Sequence, residues 1–568
     1  MTVDPNIPTP EFTNLFLEDP LADAFASLWI GDSSYESVRG YLVEMGERAA
    51  RATPLSARAD RQSPSLQTHD RAGRRVDRIE YHPDYQSLEE LAFGGGIVAL
   101  KYEPGFLALH RRNRHLVGFL MGYSFAQTEP GLYCPVCMTD GVGRVLERHG
   151  VGDVARETIA HLASRSRADR WQGAMFLTEK QGGSDVGANA VEAVYDGNAW
   201  RLHGDKWFCS NVDAEAILTL ARMPDGAPGT RGLGLFLVLR HRPEGNGQSV
   251  RIHRLKEKLG VRSMPSGEVT FEGTVAHLIG GEGRGFKQMA EMLNLSRLYN
   301  AIASVGGMRR AILEAAAYGS ERRAFGRKLV ALPLWRATMA DLQAEFLGSF
   351  ALTFEAVRAL DRADSGDAQA ARLVRLLTPM AKALTGKTCI FAVSEAMEAI
   401  GGNAYIEESI LPRLLRDCQV LPIWEGTTNI LTLDVMRAIR KEACHEALFA
   451  RLDEALNAAP AQARSHVDRV RGRASANLRE LERLATLDDE RQQRGARAWL
   501  EHAGRLVGTA SLIEASGCDT LRDVCLAAVD RLLARPFAVS PLASSGTVDQ
   551  AETEEVLLSS IWSRMNPV

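Results

Sequence analysis

The spacing of apolar residues changes twice along this chain, and that double change limits the folds open to it. Up to about residue 165, apolar side chains recur at three and four positions. LADAFASLW (21–29) and SYESVRGYLVEMGERAA (34–50) show this helical spacing. A polar segment, Thr53 to Arg78, reads as a loop or arm. SLEELAFGGGIVAL (87–100) and HLVGFLMGYSFAQ (115–127) are apolar enough for buried helix. Near Trp171 the runs shorten to WRLHGDKWF (200–208), EAILTLARM (215–223), LGLFLVLR (233–240) and GEVTFEGTVA (267–276). These alternate or run continuously apolar between turn sequences such as DGNA, PDGAPGT and PEGNGQ, which is strand behaviour. From Gly285 helical spacing returns. It predicts one long helix, either continuous or interrupted near Gly306–Gly307. A second from Leu334 carries Leu342, Phe346 and Phe350 on one stripe, a third covers 371–400, and a fourth follows Glu425. Long amphipathic helices with short links form a bundle.

The expected organisation is therefore an N-terminal α domain (1–168), a middle antiparallel β domain (169–283), a four-helix bundle (284–440) and an additional helical domain (441–568). SSGTVDQAETEEV (544–556) reads as a turn or the capped start of a helix. A chain of 568 residues with 45% apolar content can bury a large core. The balance of 67 basic and 71 acidic residues argues against a globally basic nucleic-acid binder. Neither a basic start followed by an apolar segment nor an uncharged stretch of bilayer length is present, so a cytoplasmic protein is expected. Of the eight cysteines only Cys134 and Cys137 form a C-x-x-C. With no second pair at metal-site spacing, a helix in apolar surroundings explains them more simply, and no metal is expected.

Two stretches carry chemistry. RDCQVLPIWEGTTNILTL (416–433) places a lone acid, Glu425, between Ile423, Trp424 and Gly426. Burial there disfavours the charged carboxylate and moves it toward the range of a general base. The ordinary alternative is a surface acid at a helix N-terminus capped by Thr427 or Thr428. MFLTEKQGGSDVGANA (175–190) offers backbone N–H groups and hydroxyls around two glycines, suited to a phosphate or a flavin edge. A glycine-rich hairpin explains it equally well. It is not a G-x-G-x-x-G fingerprint, and no βαβ unit surrounds it.

TEKQGGSD (178–185), GDKWFCSN (204–211), RRAFGR (322–327), AMEAIGGNAYIEESILPRLLRD (396–417) and IWEGTTNILTLDVMR (423–437) follow one another in an order that resembles the acyl-CoA dehydrogenase family. The extra C-terminal module resembles that of its AidB-like alkylation-response branch. The resemblance implies FAD at the junction of the β domain and the bundle. Glu425 would take the α proton of an acyl-CoA thioester while a hydride leaves the β carbon for flavin N5. The Glu425 N–H and a ribityl hydroxyl would hold the thioester carbonyl. It further implies flavin contacts for Thr178, Ser184, Phe208 and Ser210. Arg322 would reach a neighbouring subunit's FAD pyrophosphate, with Phe325 at the adenine end. Gly401, Gly402, Thr427 and Asn429 would complete the cofactor contacts, and Arg297 would lie near the substrate. A homotetramer and an electron-transfer flavoprotein as acceptor belong to the same implication. Glu398, Asn429, Phe208 and Asn294 depart from the commoner family residues at their positions.

The alkylation-response branch also implies a second reading, a flavoprotein that binds double-stranded DNA through the C-terminal module. Arg437 precedes that module, and Arg464, Arg469, Arg471, Arg473, Arg479 and Arg483 crowd one stretch against three acids. Arg491, Arg494 and Arg497 follow at three-residue steps. Such a face could neutralise phosphates. The alternative is a solvated surface laced with ion pairs, and the module's 16 basic against 19 acidic residues favour it.

Overall fold

The computed structural model describes residues 7–240, 249–281, 283–534, 557 and 559. In chain order the first elements are α1 (Pro20–Ile30) and α2 (Asp32–Arg61), then β1 (Ser65–His69), β2 (Arg75–Glu80) and α3 (Pro83–Glu89). Four helices follow: α4 (Pro104–His110), α5 (Arg114–Ala126), α6 (Pro130–His149) and α7 (Gly152–Leu162). The strands are β3 (Gly173–Phe176), β4 (Glu192–Tyr195), β5 (Trp200–Ser210), β6 (Ala216–Arg222), β7 (Leu233–Leu239), β8 (Val250–Leu255) and β9 (Ser266–Ile279). The long helix α8 (Gly285–Glu321) leads into a tight hairpin, β10 (Arg323–Ala324) and β11 (Arg327–Lys328). Next come α9 (Pro333–Asp364), α10 (Ala368–Ile400), α11 (Ile410–Cys418) and α12 (Thr428–Glu442). The C-terminal module holds α13 (Cys444–Asn457), α14 (Arg464–Ala485), α15 (Asp489–Ala515) and α16 (Arg522–Ala534). The sequence stretches PEGNGQ and 544–556 lie outside the described residues.

Two compact units emerge. One comprises residues 51–109 and 129–299. Its sheet runs β3-β6-β4-β5-β9-β7, with β8 on β9, and β6 also pairs with β7, closing five strands into a ring. Strands β6 and β7 are buried on both faces. Phe176, Ile217, Phe236 and Phe271 fill the inner core, while Leu218, Leu220, Leu235 and Leu237 pack with Met138, Val142 and Leu146 of α6. Double-sided burial explains why these two runs are continuously apolar rather than alternating. The sheet is mixed: most pairs are antiparallel, but β3 runs parallel to β6 from Gly173↔Ala216 to Phe176↔Thr219.

The polar segment expected as a loop is ordered structure. Helix α2 continues through Pro54 to Arg61, and β1 with β2 forms a hairpin anchored on β8. The anchor is polar. Arg75 Nη2 donates to Ile252 O at 2.7 Å, and Ile252 N donates to Asp77 Oδ2 at 3.0 Å. Hydrogen bonds between backbone and buried polar side chains leave little apolar signature in a sequence.

The other unit comprises residues 1–50, 110–128 and 300–568. Helix α9 is its spine, packed by α10, α5, α15 and α16. Phe346, Phe350 and Phe354 recur on α9 at helical spacing, with Phe25, Trp29 and Tyr123 packed against them at centroid distances of 5.3 to 6.5 Å. The stripe read from the sequence is thus a core stripe. The long helix runs uninterrupted through Gly306–Gly307. A side chain at Gly306 would press on Tyr123 O and Ala126, and one at Gly307 on the Cys389 and Cys418 sulfurs, so both glycines serve close helix packing. The C-terminal helices belong to this same unit, where Arg451 bridges to the buried Glu355 at 2.7 Å.

Candidate active site

In the β-containing unit, Thr178 follows β3 and opens a loop that returns at Val191. Trp207 N donates to Thr178 O at 2.9 Å, setting Thr178 beside the strand that carries Phe208 and Ser210. The loop is tied from within by Glu179, which is 3% exposed. Its carboxylate accepts from Gln181 Nε2 and Ala190 N, each at 2.6 Å, from Val191 N at 3.3 Å, and from Lys206 Nζ at 2.6 Å. Lys206 is fully buried, and burial pulls its ammonium below the usual lysine range. At Gly183 an added Cβ would lie 2.7 Å from Thr178 Oγ1, so a larger residue there must displace that hydroxyl. Ser184 stands exposed just beyond.

Phe208 points outward and is 56% exposed, an unusual state for a large aromatic ring on a strand. Lys256 Nζ lies 3.2 Å from the Trp207 ring centroid and 4.9 Å from that of Phe208. Lys256, Lys258, Arg262 and Met264 line a cavity of about 310 Å³ nearby. Ser210 Oγ is 3.0 Å from Ser266 Oγ. An exposed flat ring, hydroxyls, a glycine cradle and basic side chains together suit a planar, polyanionic group such as FAD. Arg297 on α8 donates through Nη1 to Asn294 Oδ1 at 3.1 Å.

In the helical unit, Glu425 lies in the connection from α11 to α12. Its φ is 55° and that of Gly426 is 99°, two consecutive left-handed residues. For glutamate this conformation costs about 1–2 kcal/mol, a strain met chiefly where function requires it. Glu425 is half-buried and Ile423 is 61% exposed, so the turn is less buried than its apolar sequence suggested. The ring N–H of Trp424 and the hydroxyl of Thr428 are buried and find no hydrogen-bond partner among the described residues. Two orphaned polar groups beside one acid mark a place where a polar ligand would be satisfied. Thr427 is the N-cap residue of α12 and Asn429 lies in its first turn, both exposed at the positive end of the helix.

The remaining positions of this unit cluster at one end of the bundle. Arg322 N donates to Tyr318 O at 2.9 Å, and Phe325 with Gly326, at φ 52° and 75°, forms the tip of the β10–β11 hairpin. Phe325 is 93% exposed. Gly401, at φ 88°, ends α10, and Gly402 follows with open space around it. Tyr318 OH accepts from Asn403 Nδ2 at 2.7 Å, and Trp335 Nε1 donates to Ala399 O at 2.9 Å, which gathers these segments.

The C-terminal arginines are largely engaged with neighbours. Arg469 pairs with Asp530 at 2.6 Å and Arg483 with Glu480 at 2.6 Å, while Arg473 donates to Leu533 O. Arg491, Arg494 and Arg497 pair with Asp488, Glu490 and Glu501. Arg437 and Arg479 are exposed. Cys137 lies buried and Cys134 half-buried on α6, and no group of three or more metal-ligating side chains occurs among the described residues. No helix among those residues is long and apolar enough to cross a membrane.

Sequence reasoning passed over Glu179, Lys206 and Lys382. Glu179 and Lys206 lay inside quoted motifs. The available signal for Lys382 was a lysine set among apolar residues in TPMAKALTG, where a solvated face would have shown more polar neighbours.

Family models match three successive segments. They are the AidB N-terminal domain of the adaptive response protein (6–167), the acyl-CoA dehydrogenase middle domain (174–274) and the acyl-CoA dehydrogenase C-terminal domain (283–440). The chain is 36% identical to acyl-CoA dehydrogenase family member 11 of Caenorhabditis elegans, over 75% of this chain and 71% of that one. It is 34% identical to the putative acyl-CoA dehydrogenase AidB of Escherichia coli, over 76% and 79%. The solved structure of Caenorhabditis elegans ACDH-11 in complex with C11-CoA superposes with a TM-score of 0.89 at 32% identity, covering 94% of this chain and 93% of that one.

Proposed function

The chain belongs to the acyl-CoA dehydrogenase family and carries an AidB-like N-terminal domain, and from that premise we propose that it dehydrogenates an acyl-CoA thioester between its α and β carbons. Membership makes it an FAD-dependent oxidoreductase acting on CH–CH bonds. The observation that carries the proposal is the left-handed Glu425–Gly426 turn, which presents a carboxylate next to orphaned polar groups at the start of α12. Glu425 takes the proton α to the thioester. Its backbone N–H polarises the thioester carbonyl, so negative charge gathers against a fixed donor as the proton leaves. When bound, FAD supplies the two-electron acceptor for the hydride of the β carbon.

Thr178, Ser184, Phe208, Ser210, Gly401, Gly402, Thr427 and Asn429 would be the flavin contacts in this reading. Arg322 and Phe325 would serve the cofactor of a neighbouring subunit. An assembly of copies, a homotetramer in this reading, is supported by the exposure of Phe325, Leu334 and Tyr405, each above four-fifths, around the end of the bundle where Tyr318 and Trp335 tie the segments together. Arg297, held by Asn294, would line the acyl-CoA path. An electron-transfer flavoprotein is the expected acceptor, in a cytoplasmic setting. The Caenorhabditis elegans structure holds C11-CoA, which supports a medium-length acyl chain here.

The DNA-associated reading has less behind it. Its candidate residues Arg469, Arg473 and Arg483 are engaged within their own module, leaving Arg437 and Arg479 exposed. The AidB-like N-terminal match keeps it as the alternative.

Substitution of Glu425→Gln tests the central assignment. The variant is expected to purify yellow with FAD bound, and to lose the bleaching of the flavin that acyl-CoA causes in the unaltered protein. Bleaching at an unchanged rate would remove Glu425 from the chemistry.

A further inference from the structure

We propose that Lys382 is a positioning residue that holds the strained Glu425–Gly426 turn in place, a role that rests on the reading of Glu425 as the proton-abstracting base. Lys382 lies in the middle of α10 with Met380, Ala381 and Ala383 buried around it, and it is 0% exposed. Burying an ammonium costs several kcal/mol unless polar groups replace the lost water. Its Nζ donates to Gly426 O at 2.5 Å. The acceptor thus belongs to the second of the two left-handed residues, one position after the candidate base.

A charged donor makes this bond roughly twice as strong as a neutral one. That strength matters at this point in the chain, because Glu425 relaxes to an ordinary backbone conformation unless its surroundings oppose the change. The segment before the turn is fastened in other ways. Asn300 Nδ2 donates to Leu421 O at 3.0 Å, and the Cα face of Gly386 comes so close that a Cβ there would lie 3.2 Å from the Leu421 carbonyl. Contacts from α8 and α10 therefore fix Leu421, and Lys382 fixes Gly426. Glu425 sits between the two anchors.

Lys382→Met replaces the aliphatic stem with one of similar bulk and removes both charge and donor. Two measurements on the FAD-loaded protein decide the matter: amide hydrogen exchange across residues 420–430, and the rate of flavin bleaching as acyl-CoA concentration is varied. The expected variant is folded and yellow. Exchange accelerates at 423–428 and stays slow in the rest of α10 and α12. The limiting bleaching rate falls by about 10²-fold, the cost of a small misplacement of a reacting group, while the half-saturating acyl-CoA concentration changes little. Lys382→Gln, with a neutral donor of shorter reach, recovers part of the rate and part of the protection. If the methionine variant does not fold, the glutamine variant carries the same comparison with wild type. Unchanged exchange at the turn, or an unchanged rate per bound flavin, overturns the proposal. A wild-type protein that no acyl-CoA bleaches contradicts the base assignment instead, and the exchange measurement still decides whether Lys382 holds the turn.

Discussion

Lys206 and Lys382 are both fully buried, one in each unit, and each fastens a segment that carries candidate site residues. Their partners differ. Lys206 meets the buried carboxylate of Glu179 and also donates to Leu220 O at 3.0 Å, and Lys382 donates to the backbone carbonyl of Gly426 in the turn beside the candidate base. Removing Lys206 strands a charge in the interior. Removing Lys382 leaves the Gly426 carbonyl, one position after the left-handed Glu425, without its ammonium donor. The first lysine therefore belongs to the stability of its unit, and the second to the geometry of one turn. Equal burial does not imply equal roles.

The largest effect that sharpens this comparison is expected at Lys206. Lys206→Met should destabilise the protein by about 3–5 kcal/mol, because Glu179 is left as an unpaired buried charge. Denaturant unfolding would register the loss, and FAD should dissociate as the 178–191 loop loosens. The double variant Lys206→Met with Glu179→Leu should recover part of it, since no charge remains stranded. If Lys206→Met costs no more stability than Lys382→Met, the distinction between the two lysines breaks.

A second carboxylate in the same unit shows what burial does with an amide as the hydrogen-bonding partner. Glu89 accepts from Gln172 Nε2 at 2.5 Å, and burial pushes its carboxyl up to about 7 from 4.5. The folded protein thus holds this proton more tightly than the unfolded chain does. Below pH 4.5 both states are protonated and no penalty arises. Between pH 4.5 and 7 the unfolded chain releases its proton first, so stability falls as pH rises and levels off above 7. Glu89→Gln should flatten that fall, as melting temperatures across the same range would record. A curve that stays as steep in the variant assigns the fall to other groups.

The smallest effect is expected at Gly183→Ala. The new Cβ must displace Thr178 Oγ1, which lies 2.7 Å from its ideal position. FAD affinity should weaken by on the order of tenfold, or about 1.4 kcal/mol, with little change in unfolding. Unchanged affinity would separate Thr178 from the cofactor.

Much of the architecture was legible because it rests on periodicity. The α9 stripe of Leu342, Phe346 and Phe350, and the strands at 200–210, 216–222, 233–239 and 266–279, follow directly from the spacing of apolar residues. Short strands with mixed burial were not legible, among them β4 with one buried position and the β1–β2 hairpin held by Arg75 and Asp77. The parallel pairing of β3 with β6 was hidden for another reason, since a strand's alternation says nothing of its partner's direction. Within the candidate site, Glu425 stood out as a lone acid in an apolar run, and its left-handed backbone was visible only in the structure. Gly306 and Gly307 left the helix reading open because glycine permits both helix breaks and close helix packing, and only the neighbours Tyr123, Cys389 and Cys418 decide between them.

The most direct test of the account is an anaerobic titration of the purified yellow protein with short, branched and long acyl-CoA thioesters, followed by flavin absorbance. The account predicts rapid bleaching by at least one thioester, the medium-length chains being the first to try. Bound FAD that no thioester in the panel bleaches would contradict the dehydrogenase reading and shift weight to the DNA-associated alternative.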